Sequence, residues 1–415
     1  MPFTAFHTPR PNRALIRVLA WINDAVVLPH VARIREVHLP PEDQAALAAH
    51  LRAPAVICPN HPEFFTDWML DKWLTSRYAP LAACWAAPEI VNGMGALATR
   101  FWLANNLVAA VRGDGLDVAL EYSAGSLAAG HGALIHPEGE VNWDNEALGR
   151  LKTGCVQIAR RGATRVGKSA LIVPVAWFIR FGEDATSGLT KELDYVQERL
   201  GFRSGRLGGP AQRMAQLYTA LLERETSRFD IDSGKSGQGF LERFDIALAG
   251  ALEMLAKHWP ASVPQAGTGD ASEIARLWIR AARAQGKEAV VAFRQQIATL
   301  DRVMRLVPAR AENTHLTQEQ VAERVKRLRS DWLHGSLRDK ASRFIPRAVA
   351  GREIFMRVGR PVEVSGGDAP ASQANPMLEV LDQHFRDALE AARLDGLAQL
   401  GPPVKYLNPF VHPAG

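Results

Sequence analysis

Short apolar runs that stop abruptly at turn residues, spaced by helix-length stretches, constrain this chain more than any other feature. Ala53-Pro-Ala-Val-Ile-Cys58 is closed by Pro59, Leu107-Val-Ala-Ala-Val111 by Arg112-Gly113-Asp114, and Ala133-Leu-Ile135 by His136-Pro137. Leu171 to Trp177 is a further run, in which Pro174 predicts an edge strand or a bulge. Trp68 to Tyr78, Ala119 to Ala129 and Leu151 to Arg161 have helical length and periodicity. Runs this short, alternating with helices, read as strands of an α/β fold: a mixed sheet flanked by helices.

After Arg180 the pattern changes. From Glu192 to Ala350 it is almost wholly helical, with segments such as Met214 to Thr226 and Ala271 to Ala284. Thr317-Gln-Glu-Gln320 predicts a helix start with a capping box. The Ser-Gly-rich Ser233 to Gly239 and the Pro-Gly-rich Pro260 to Gly269 read as loops. Strand character returns at Ile354 to Val358 and runs on to Val364, and Met377 to Ala391 is a last helix. The expected organisation is an α/β domain over residues 1–180, a large all-helical region over 181–350, and a final strand and helix over 351–415 that return to the α/β domain. The strand near Phe355 is expected to join the sheet of residues 50–180.

Composition narrows the class. With 47% hydrophobic and 22% charged residues, 415 residues can bury a full core. The three cysteines are scattered, without metal-ligand spacing, which fits a reducing cytoplasm rather than a disulfide framework. The net charge of +5 makes the surface modestly basic, but no zinc-finger, RNA-binding or helix-turn-helix pattern directs it to nucleic acid. No cleavable signal is expected at the N-terminus, and Arg17, Asn23, Asp24 and Pro29 make Ala14 to Val31 a poor spanning helix. Leu15, Val18, Leu19, Ile22 and Val26 instead form one apolar face, suited to packing on the domain or to lying in a membrane interface.

Four blocks carry candidate chemistry, each after an apolar run and so at a strand end, where open α/β sheets place their sites. They are Asn60-His-Pro-Glu-Phe-Phe-Thr-Asp67, Ala109-Ala-Val-Arg-Gly-Asp114, Ile135-His-Pro-Glu-Gly-Glu-Val-Asn142 and Val173-Pro-Val-Ala-Trp177. A loop histidine with a carboxylate close by is the minimum for general base catalysis, since the carboxylate fixes the tautomer and stabilises the imidazolium. Arg112 could clamp a phosphate or sit solvated beside Asp114. Glu138 and Gly139 offer a carboxylate and a backbone that a ligand can approach, or an ordinary turn. His136 reads as packed against its neighbours.

In their order and spacing these blocks resemble the glycerolipid acyltransferase superfamily, the lysophosphatidic acid acyltransferase-like enzymes (1-acylglycerol-3-phosphate O-acyltransferases). The matching residues are Asn60-His61 with Asp67, Arg112, Pro137-Glu138-Gly139 and Val173-Pro174-Val175, over about residues 45–180, with Val358 to Val362 similar to a late strand. The resemblance implies transfer of a fatty acyl chain from acyl-CoA or acyl-carrier protein to a hydroxyl of a lysophospholipid or related lipid, in phospholipid biosynthesis. It implies no metal and no cofactor beyond that co-substrate. His61 would be the general base and Asp67 its orienting partner, with Asn60, Arg112, Glu138 and Gly139 on the substrate side. The partners would be the acyl thioester, the lipid acceptor and a membrane surface, with peripheral attachment to the inner face of the cytoplasmic membrane. A catalytically inactive membrane-binding scaffold of the same fold, or a thioester hydrolase, is the alternative.

Two departures from the family pattern stand out. Five residues rather than four separate His61 from Asp67, and Glu140-Val-Asn142 replaces a Thr-Arg-Ser whose arginine is thought to help bind the acceptor phosphate, which favours a neutral or zwitterionic acceptor. Six steps of a straight helix leave two positions about 120° apart, so His61 is expected in the loop. Pro62 is expected near the first helical position, Glu63 capping the first turn and Asp67 reaching back from the second. A looser first turn would absorb the extra residue. Arg324, Lys326, Arg327 and Arg329 are expected to assist membrane binding.

Overall fold

The computed structural model describes residues 6–93, 95–111, 114–142, 144–202, 208–228, 230–234, 238–258, 294–306, 313–333, 335–339, 348–367 and 374–411. Arg112, the expected helix Ala271 to Ala284 and the expected loop Pro260 to Gly269 lie outside them. The chain divides into two compact units, one of residues 1–185 and 335–403, the other of residues 186–334 and 404–415.

The first unit is an α/β fold. Its strands are β1 (Ile34–His38), β2 (Ala55–Pro59), β3 (Ala83–Ala86), β4 (Leu107–Ala109), β5 (Ala133–Leu134), β6 (Ala170–Phe181), β8 (Arg352–Val358) and β9 (Val362–Val364). They form one mixed sheet in the order β1-β8-β6-β2-β5-β3-β4, with β9 also on β6. Strands β6, β2, β5, β3 and β4 are mutually parallel, whereas β8 and β9 run antiparallel to β6. The strand around Phe355 therefore lies in the same sheet as residues 55–181.

Both faces are covered, as a largely parallel sheet requires. On one face α6 (Asp114–Ala128), α7 (Gly154–Val166) and α13 (Ala374–Leu400) bury Leu120, Ile158 and Phe385 against the sheet. On the other, α2 (Pro41–His50), α3 (Phe64–Tyr78) and a π-helical segment (Asn23–Val31) bury Leu47, Leu70 and Leu28 against Trp177 and Ile57. The π-helix continues α1 (Arg13–Ile22), and α4 (Pro88–Gly93) and α5 (Ala96–Ala104) connect β3 to β4.

Pro174 lies in the centre of the sheet, opposite Cys58 of β2, and not on an edge. On its other side β6 changes partner, from β9 at Ala170–Ile172 to β8 from Val175 onward. The Pro174 carbonyl faces that gap and accepts the Gly359 N–H at 2.9 Å. The proline nitrogen faces the same way, where no ladder partner waits, so its missing N–H costs the sheet nothing.

The second unit holds α8 (Thr186–Leu200), α9 (Pro210–Ser227), α10 (Phe240–His258), α11 (Arg294–Met304) and α12 (Gln318–Trp332). Thr317 and Gln320 form the expected capping box at α12. The sequence reading carried the α/β domain to residue 415, but β10 (Lys405–Leu407) pairs antiparallel with β7 (His315–Thr317) and assigns the last residues to the helical unit. Arg324 and Arg329 are buried within it, and Arg329 pairs with Glu192 at 2.6 Å, so neither is available to a lipid surface.

Candidate active site

β2 and β5 are neighbours and parallel, so the loops that leave their carboxyl ends meet, bringing Asn60-His61 against His136 to Gly139. His136-Pro-Glu-Gly139 is a tight turn closed by the Gly139 N–H to the His136 carbonyl at 3.0 Å. Proline as second residue and glycine as fourth are the residues such a turn favours. Gly139 has φ +70°, and a Cβ there would stand 2.8 Å from the Lys152 side chain. Glycine is a backbone requirement at this position.

The two loops brace each other. The His61 N–H donates to Glu138 Oε1 at 2.7 Å, and the Gly149 N–H donates to Glu138 Oε2 at 2.6 Å. The Asn142 N–H donates to the His61 carbonyl at 2.8 Å. Burial pushes the Glu138 carboxyl above its ordinary range, against the pull of these two amides and of His136. Glu138 is thus a buried strut behind His61, with both oxygens occupied.

Asn60 is committed in the same way. Its amide donates to the Trp177 carbonyl and accepts the Trp177 N–H, both at 2.9 Å, extending the β2–β6 ladder by one side chain. Expected on the substrate side, Asn60 and Glu138 instead hold the scaffold that presents His61.

The dyad is assembled, by a route different from the expected one. His61 Nδ1 lies 2.8 Å from Asp67 Oδ2. Helix α3 begins only at Phe64, with Glu63 extended (φ −144°, ψ 130°) as its N-cap residue, so Pro62 is not in the helix. A residue before proline is steered away from helical backbone, which keeps His61 in the loop. The later start puts Asp67 in the first turn, where Oδ2 also accepts the Glu63 N–H at 2.8 Å. That late start, rather than a loosened turn, absorbs the extra residue. Asp67 Oδ1 accepts the Trp177 indole N–H at 3.0 Å, and the carboxylate is fully buried. Glu63 makes no capping bond; its carboxylate pairs with the buried Arg352 of β8 at 2.5 Å, while Arg352 also donates twice to the Ala32 carbonyl.

Because Asp67 Oδ2 accepts from Nδ1, the proton of neutral His61 sits on Nδ1 and its lone pair on Nε2. Among the described residues Nε2 has no partner, and the side chain is 17% exposed. Burial, and then the charge of His136, hold the His61 imidazole well below its ordinary pKa, so it is neutral. A neutral imidazole whose Nε2 lone pair is unpartnered among the described residues can take a proton.

A second pair, of which the sequence reading recognised only the packing, lies behind the first. His136 stacks on His61 with ring centroids 4.1 Å apart, and its Nε2 stands 2.9 Å from Asp71 Oδ2. Asp67 and Asp71 are one turn apart on α3, and that spacing, beside two block histidines, was the signal available. Trp177 and Arg352, the other partners missed, carry no local signal.

The face of α3 opposite the aspartates, with Phe65, Trp68, Met69 and Lys72, lines an almost wholly apolar cavity of about 390 Å³. Ile22 and Val27, Ala86 and Ile90, and Phe101 and Trp102 are among its other lining residues. Lys72 is the one ammonium among these lining residues; burial lowers its pKa, and it donates to Asn105 at 2.8 Å. Glu140 points into solvent near Lys152, so it presents no charge to the loop interior. No group of metal-ligating side chains is found among the described residues.

No protein-family model matches the chain, and no curated protein matches it.

Proposed function

We propose that this protein is an acyltransferase that moves a fatty acyl chain from a thioester donor, acyl-CoA or acyl-carrier protein, to a hydroxyl of a lysophospholipid or related lipid. The observation that carries the reading is the His61–Asp67 pair, which leaves Nε2 free on a neutral ring. His61 Nε2 takes the hydroxyl proton as the acceptor oxygen attacks the thioester carbonyl. Asp67 stabilises the imidazolium that forms. Collapse of the adduct breaks the carbon–sulfur bond, and the proton leaves with the thiol. A positioned base contributes roughly 10²–10⁴-fold, and the remainder comes from holding chain and hydroxyl together.

The apolar cavity supports an aliphatic substrate, since it falls in the volume range of roughly 300–1,000 Å³ of small-molecule sites. The chain would lie there and pass its thioester over the first turn of α3, where Phe65 sits two residues from Asp67. A membrane surface as the source of lipid is supported by two of the helices that line the cavity, α1 and α5. Val18 and Trp21 of α1 and Leu97 of α5 are exposed large apolar side chains. Although its interruptions led to the expectation of a poor spanning helix, Arg13–Val31 holds an 18-residue window of mean hydropathy 1.4, with 17% of the window buried, which is apolar enough by length and composition to cross a bilayer. We propose attachment to the inner face of the cytoplasmic membrane through these exposed side chains.

Radiolabelled acyl-CoA with and without lysophospholipid tests the reading. Label in the lipid product, abolished by His61→Ala, is expected. Label released only to water marks a hydrolase, and no turnover with either acyl-CoA or acyl-carrier protein marks a scaffold; both overturn the proposal. Loss of vesicle co-sedimentation in Trp21→Ser with Leu97→Ser checks the membrane attachment.

A further inference from the structure

His136 is set in place as firmly as His61, yet the proposed transfer does not use it. Its Nδ1 lies 3.0 Å from the Asn60 carbonyl, which can only accept, so Nδ1 carries a proton. Its Nε2 lies 2.9 Å from the Asp71 carboxylate, which also accepts, so Nε2 carries one too. A ring with both nitrogens donating is an imidazolium. The rings of His61 and His136 are stacked at 4.1 Å and 19°, and the Trp177 indole meets His136 edge-on at 6.0 Å. The lone pair on His61 Nε2 is therefore presented beside a fixed positive charge.

We propose that the His136–Asp71 pair is a positioning device for His61: an imidazolium that clamps the base by stacking and keeps it neutral. The role as a helper of the base rests on the acyltransferase reading; the charge relation between the rings does not. Among the described residues, the charged groups around the two rings are Asp67 and Asp71 from α3, Glu63 with Arg352 of β8, and Glu138 with Lys152 beyond it. Asp67 favours a proton on His61 from 2.8 Å at Nδ1, and His136 opposes it across the 4.1 Å stack. Physical causes agree in direction: His136 is raised above its ordinary pKa by Asp71 and by the hydrogen bonds it donates, against burial, and it lowers His61 in turn. A base held neutral in this way stays competent in acid, where an ordinary histidine is protonated and idle.

The test is a histidine NMR titration of the full-length chain, with ring nitrogens labelled, for the wild type, His136→Phe and Asp71→Asn. His136→Phe keeps the stack and removes the charge. In the wild type His136 should remain doubly protonated at neutral pH while His61 stays neutral below the ordinary histidine range. In His136→Phe the His61 midpoint should rise; in Asp71→Asn, where His136 loses its counter-charge, it should rise by less. The acid limb of kcat/KM should move up with it, at about tenfold loss per pH unit on that limb. An unchanged His61 midpoint in His136→Phe, or a wild-type His136 that is neutral at pH 7, overturns the proposal. Should His136→Phe fail to fold, an unmoved midpoint in Asp71→Asn overturns it equally. Midpoints that move as expected in a chain that transfers no acyl group would uphold the charge relation and sink the acyltransferase reading.

Discussion

Asp67→Asn exchanges one oxygen for an NH2 group and removes a charge, at a carboxylate that receives three donors. Oδ2 takes the His61 Nδ1–H and the Glu63 N–H, and Oδ1 takes the Trp177 indole N–H. An asparagine has one oxygen to offer. If it faces His61, the buried Trp177 N–H meets an NH2 and goes unsatisfied, at about 1–3 kcal/mol of stability. If it faces Trp177, His61 Nδ1 must accept, and the proton moves to Nε2. The base is then absent, a wrong-tautomer loss of about 10⁴-fold. In both orientations the imidazolium formed during transfer lacks its counter-charge. With charge centres about 4 Å apart and an effective dielectric near 20, that is roughly 4 kcal/mol, or about a thousandfold in rate. We expect kcat to fall about 10³–10⁴-fold, with a stability loss of about 1–3 kcal/mol. The assays are acyl transfer from labelled thioester and urea unfolding on the same preparation. A folded variant that keeps more than about a tenth of wild-type kcat would refute the reasoning.

Glu63→Ala strips the buried Arg352 of its carboxylate and should cost about 3–5 kcal/mol in urea unfolding, much of which Glu63→Ala with Arg352→Met should recover; a single-variant loss below about 1 kcal/mol contradicts a structural pair. His136 has a raised pKa in the fold, so its charge adds stability below the unfolded-state value, and that contribution is lost as pH rises through the folded value. The stability gap between wild type and His136→Phe should accordingly be widest in acid and narrow with rising pH, and a gap independent of pH would count against it. Ala86→Leu fills part of the apolar cavity and should discriminate against long acyl donors, at about 0.8 kcal/mol, or about fourfold in kcat/KM, for each methylene excluded. Equal losses for short and long donors would place the chain elsewhere.

The alternation of short apolar runs with helices was enough to define the fold class, because a run too short for a helix and flanked by turns can bury its surface only as a strand. The same runs marked where the loops leave the sheet, and so where His61 and His136 stand. The capping box at Thr317 was legible for a similar reason: its donors and acceptors lie within four residues. Pro174 shows the limit of local reading, since a proline is excluded from a central strand only if a partner stands on its N–H side, and that depends on where β8 and β9 begin and end.

The sequence by itself determined that the first 180 residues alternate strand and helix, that His61 lies in a loop after a strand, and that Asp67 is within its reach. Only the tertiary structure decided what each polar group is spent on. Glu63 went to Arg352, 289 residues away along the chain, and Asn60 and Asp67 to Trp177, 117 and 110 residues away. His136 came to stack on His61 because β5 pairs with β2. A hydrogen-bonding side chain will accept any partner that burial brings within 3 Å, and burial is set by strand order, which no local pattern of residues contains.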